Sequence, residues 1–166
     1  LIIILVDMSD SANEARRTVC KEAFEKIYQN LRQGDRVVVG TITSHSYIEF
    51  KPTVDEEIPK KTLWDNRLQF ERNLTNSKDK IQREVNKLLS RQRGSPLTEI
   101  LDSLNIADTI FHDEKERQKI LVILSDMMQD SKEYNFEKDR ITDEYINNVI
   151  TYREKNNLMP NLTGVK

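Results

Sequence analysis

The sequence predicts an open α/β sheet, mostly parallel and doubly wound, with helices on both faces and one antiparallel edge strand. Two observations carry that expectation. Residues 1–6 (LIIILV), 37–42 (VVVGTI) and 120–124 (ILVIL) are apolar without alternation, the pattern of strands buried on both faces. Stripes at helical spacing lie between and after them, and strands that alternate with helices build parallel sheets.

Taken in chain order, the first strand is followed by Val19, Ala23, Phe24, Ile27 and Leu31, which fall on one helical face. Gly34 then stands where a helix C-cap glycine belongs. The second strand comes next, and after a short polar turn residues 47–50 (YIEF) alternate as a half-exposed antiparallel edge strand does. Residues 51–78 are charged, contain Pro52 and Pro59, and read as an irregular insertion around Trp64, Leu68 and Phe70. Ile81, Val85, Leu88 and Leu89 make a second stripe, closed by Gly94. Ser95-Pro96 reads as an N-cap with proline at the first helical position. It opens a third helix with Ile100, Leu101, Leu104, Ala107 and Phe111 on its face. The third buried strand succeeds it. Ile141, Tyr145, Ile146, Val149 and Ile150 mark a fourth helix. All four stripes are expected to face the core.

Length and composition narrow the class. At 166 residues with 37% hydrophobic content, the chain suits one core and one domain over 1–166. Lys plus Arg number 26 against 28 Asp plus Glu, which leaves no electrostatic case for nucleic-acid or membrane binding. No apolar run approaches the roughly 18 residues that span a bilayer. Cys20 stands alone, so no internal disulfide can form, which leans toward a reducing compartment. The compartment is otherwise open.

The chemistry lies in the segments at the ends of the buried strands. The first strand runs into Asp7-Met8-Ser9-Asp10-Ser11, and the third into Ser125-Asp126. The loop before the third helix supplies Thr98. Right-handed crossovers bring the carboxyl ends of such strands to one edge, where ligands bind. These segments offer hydroxyls and carboxylates without thiol or imidazole, which suits Mg²⁺, Mn²⁺ or Ca²⁺ rather than Zn²⁺ or copper.

This arrangement resembles the metal-ion-dependent adhesion site of von Willebrand factor A-type domains. The matching residues are Asp7, Ser9, Ser11, Thr98 and Asp126, and the element order, Rossmann-like, fits over nearly the whole chain. The resemblance implies that Ser9 and Ser11 touch the cation, Thr98 directly or through water, and Asp7 and Asp126 through bound waters. It implies a non-enzymatic binding module whose protein partner supplies an Asp or Glu carboxylate to the metal. The family often has glycine before the threonine and after the last aspartate, where this chain has Leu97 and Met127. It also continues with a further strand and helix, so 1–166 reads as a fragment that lacks both.

Competing readings are less well matched. A Mg²⁺-dependent phosphohydrolase of haloacid-dehalogenase type needs a second Asp two residues after the first, and that position is Ser9. A receiver needs an acidic pair after the first strand, and flavodoxins need a phosphate loop. Asp7 and Ser9 as helix caps, or an A-type fold with a dead metal site, are the bland alternatives. Cys20 reads as a core thiol, His45 and His112 as surface residues.

Overall fold

The computed structural model describes residues 1–8, 14–44, 50–91 and 95–166. Its sheet has four strands, β1 (Ile2–Asp7), β2 (Arg36–Ile42), β3 (Val54–Glu57) and β4 (Ile120–Leu124), in the order β3-β2-β1-β4. β1 pairs in parallel with β2 and with β4, while β3 runs antiparallel to β2. The described helices are α1 (Glu14–Gln29), α2 (Arg67–Leu89), α3 (Ile100–His112) and α4 (Asp143–Lys155). This is the mixed α/β sheet that the sequence predicts.

The central strand explains why the apolar runs do not alternate. Ile4 and Val6 pack with Phe24 of α1 and with Ile81, Val85 and Leu88 of α2. Ile3 and Leu5 point the other way, onto Ile100, Ala107 and Phe111 of α3. Ile3, Ile4, Leu5 and Val6 are at most 1% exposed, and each such side chain contributes roughly 1.5–3 kcal/mol on burial. Both faces of β1 therefore need apolar residues.

Four expectations are corrected. Residues 47–49 of the expected edge strand lie outside the described residues, and the antiparallel strand that is seen is Val54–Glu57. It sits inside the stretch expected to be irregular. Hydrophobic pattern does not define it, because only Val54 is buried; its charges are matched by neighbours instead. Arg36 donates twice to Asp55, at 2.8 Å each. Glu56 accepts from Ser77 and pairs with Lys80, both on α2. The remainder of that stretch enters α2, whose start at Arg67 is capped by the Asn66 side chain, accepting from Leu68 and Gln69. The turn before it leaves Leu63 and Trp64 at 99% and 95% exposure.

The second correction concerns α3, which begins at Ile100 rather than at Ser95-Pro96, and its cap position, Glu99, makes no side-chain capping bond. Residues 95–99 are drawn out of the helix by bonds to other segments. Leu101 and Leu104 are only half-buried. Third, the stripe on α4 does not face the core. Ile141, Ile146 and Ile150 are 47%, 44% and 39% exposed, and Val19 of α1 is 64% exposed. α4 is held instead by Arg153, 5% exposed, which donates to Asp102 at 2.9 Å and to the carbonyls of Leu101 and Leu158. Fourth, β4 is half-buried along its length, because it ends the described sheet. Its outer side meets a parallel bridge from Lys119 to Val165, with Leu121 N–H donating to Lys166 O at 2.9 Å. Among the described residues no helix is long and apolar enough to cross a membrane.

Gly40 is needed for the ring that lies over β2. A Cβ there would stand 2.2 Å from Phe50 Cε2 and 2.5 Å from Cζ, so the ring occupies the space of the missing side chain. Gly40→Ala is expected to destabilise the domain by about 1–3 kcal/mol, read as a lower midpoint in urea unfolding with an unchanged slope. At the opposite end, Arg117 joins three segments by bonding Gly34 O, Glu57 and Glu114. That guanidinium, helped by the backbone N–H groups of Glu116 and Arg117, holds the Glu114 carboxyl down from 4.5 to about 2. A carboxyl lowered by folding stabilises above its unfolded pKa and loses that effect as pH falls. Stability should therefore drop between pH about 4.5 and about 2, and Glu114→Gln should flatten that part of the melting-temperature profile.

Candidate metal centre

Parallel β1 and β4 both end at the same rim, so Asp7 and Ser125-Asp126 are neighbours because Val6 pairs with Leu124. The Ser125 hydroxyl donates to Asp7 Oδ2 at 2.9 Å and accepts from Met127 N–H at 3.0 Å. Asp7 is 8% exposed, and a buried carboxylate is stable only when hydrogen-bonded or charge-matched. Asp126 Oδ1 accepts from Met128 N–H at 3.2 Å, and its other oxygen pairs with Arg16 of α1. Asp7, Asp126 and Arg16 line one cleft of about 430 Å³. Burial pushes the thiol of Cys20, which lines the same cleft, upward; Asp7 adds to that shift and Arg16 opposes it.

The third segment is stitched to both of the others. Ser95 N–H donates to Met8 O at 2.8 Å, tying the loop to the end of β1. The Ser95 hydroxyl accepts from Ser44 N–H at 2.9 Å, which adds the loop after β2. Thr98 exchanges backbone hydrogen bonds with Asp130 at 2.7 and 3.0 Å, tying it to the loop that carries Asp126. Thr98 is 4% exposed and Gln129 3%. Gln129 accepts from Leu101 N–H at 3.1 Å, satisfying a donor in the first turn of α3 that has no partner within the helix. These bonds account for the late start of α3.

Of the five residues predicted from sequence, Asp7 and Asp126 come together at one rim, and the Thr98 loop is bonded to both of their segments. Ser9 and Ser11 lie outside the described residues. Among the described residues no three His, Cys, Asp or Glu side chains converge. The hydroxyl and carboxylate oxygens of the rim suit a hard dication, while the Cys20 thiol that lines the same cleft is not a donor such an ion prefers. Sequence reasoning missed Ser125 and Arg16. Ser125 had a signal, being next to Asp126. So did Arg16, because a cation in the first turn of a helix opposes the helix dipole and calls for an anion nearby.

Residues 2–129 match the family model of the von Willebrand factor type A domain. The chain belongs to the von Willebrand factor type A family. A solved structure described as von Willebrand factor type A from Catenulispora acidiphila is 18% identical with a TM-score of 0.48; the match covers 72% of this chain and 24% of that one. The chain thus spans about a quarter of that relative's length. No curated protein matches it.

Met127 stands where the family often has glycine, and its φ is +63°, in the left-handed region that side chains disfavour. Met127 is 54% exposed, so removing its side chain forfeits little packing. Met127→Gly is expected to stabilise the folded state by about 1 kcal/mol, a rise of about 2–4 °C in melting temperature. An unchanged or lower value would show that the backbone there is not strained.

Proposed function

We propose that this domain is a divalent-cation-dependent protein-binding module, not an enzyme, whose rim holds Mg²⁺, or Mn²⁺ or Ca²⁺, through Asp7, Ser9, Ser11, Thr98 and Asp126. The supporting observation is the joining of Asp7 to the Asp126 loop through Ser125, with the Thr98 loop bonded to both segments. Membership of the family agrees, since von Willebrand factor type A domains are commonly protein-interaction modules. It lends nothing to the phosphohydrolase alternative.

The proposed roles are those that the resemblance implies for these donors. Ser9 and Ser11 would hold the ion through neutral hydroxyls, and Thr98 directly or through water, which would leave its charge largely unquenched. Asp7 and Asp126 balance that charge one layer out, through water. Ser125 donates to Asp7, and the buried Thr98 is tied by its backbone to Asp130. The cation supplies a Lewis-acidic position for an incoming Asp or Glu carboxylate of a protein partner. Mg²⁺ retains waters and favours octahedral oxygen donors, which suits a site completed by its ligand.

Anything that binds only the folded state stabilises it by RT ln(1 + [L]/Kd), about 2.7 kcal/mol at a hundredfold excess over Kd. Millimolar Mg²⁺ or Mn²⁺ should therefore raise the melting temperature, and Asp7→Ala should remove the rise. Absence of any shift in the wild type would overturn the proposal.

A further inference from the structure

A positive side chain is built into the rim beside the carboxylates. Arg16 lies in the first turn of α1, and its guanidinium pairs with Asp126 Oδ2. The two side chains are 40% and 26% exposed, so the pair is only partly washed by solvent. Arg16 also lines the cleft that Asp7 and Asp126 share. The same turn lies at the positive end of the helix dipole and also carries Glu14.

We infer that Arg16 is an internal counter-cation that competes with the divalent metal for Asp126 and so sets the concentration at which the rim takes up metal. The inference rests on the reading above that the rim is a metal site. Two routes lead to it. If Arg16 keeps its bond when the ion enters, two like charges stand within a few ångströms and repel at reduced dielectric. If Arg16 swings away, the ion pair is lost. Either way the apparent affinity falls relative to a rim without the arginine. The metal-free carboxylate meanwhile keeps a partner, so the domain folds without metal and responds to it as an added signal.

The test is a Mn²⁺ titration of the full chain by calorimetry, with folding of each variant checked by circular dichroism. Arg16→Gln should tighten the Mn²⁺ Kd about tenfold, equivalent to about 1.4 kcal/mol. Arg16→Lys, which retains the charge, should stay within about threefold of wild type by the same relation. Arg67→Gln removes the same charge from the start of α2, at the far end of the sheet, and should leave Kd unchanged. Equal Kd for wild type and Arg16→Gln overturns the competition while leaving the metal site standing. Equal tightening by Arg67→Gln reduces it to net charge and also overturns it. If neither wild type nor Arg16→Gln takes up Mn²⁺, the metal reading and this one fall together.

Discussion

The structure depends on the burial of β1 on both faces. Ile3 and Leu5 serve one hydrophobic cluster and Ile4 and Val6 the other, so a shift by one residue would exchange the two layers. That constraint fixes the register against β2 and β4, and with it the position of Asp7 at the rim. The carboxylate is thus placed by the packing of the four residues before it. Its neighbours arrive by the same rule, because β4 is aligned residue for residue with β1 up to Leu124. Ser125 is then the first residue free to turn and bond Asp7.

The far end of the sheet shows a different solution. There the contacts are between charges: Arg36 with Asp55, Lys80 with Glu56, and Arg117 with Glu57 and Glu114. The buried Glu114 apart, pairs as exposed as these contribute little singly, but three of the four involve β3, a strand with a single buried residue. They set where β3 lies more than how stable it is. The apolar core thus decides the stacking of layers, and ion pairs decide the placement of an edge that the core does not reach.

Legibility in the sequence divides along the same line. β1, β2 and the half-buried β4, with the buried face of α2, were legible because each carries an unbroken apolar run or a single apolar helical face. β3 was not, since an acidic VDEE segment held by partners on α2 and β2 carries no such pattern. The α4 stripe has the right period but faces water, as period alone does not say what a face packs on. At the rim, the nearness of Asp7 to the Asp126 loop was legible because each follows a recognisable strand. Arg16 and Ser125 act through partners distant in sequence, and the hydroxyls of Ser9 and Ser11 fall outside the described residues.

The placement of Trp64 has a spectroscopic consequence. It is the single tryptophan of the chain, it stands almost wholly in water, and it lies beyond β3, at the end of the sheet opposite Asp7. Its indole meets nearly the same solvent in the native and the unfolded chain, so its emission changes little on denaturation and hardly registers events at the rim. An optical signal from the rim would have to be introduced there, and an indole placed at Met128, two residues past Asp126, would report locally against a quiet background.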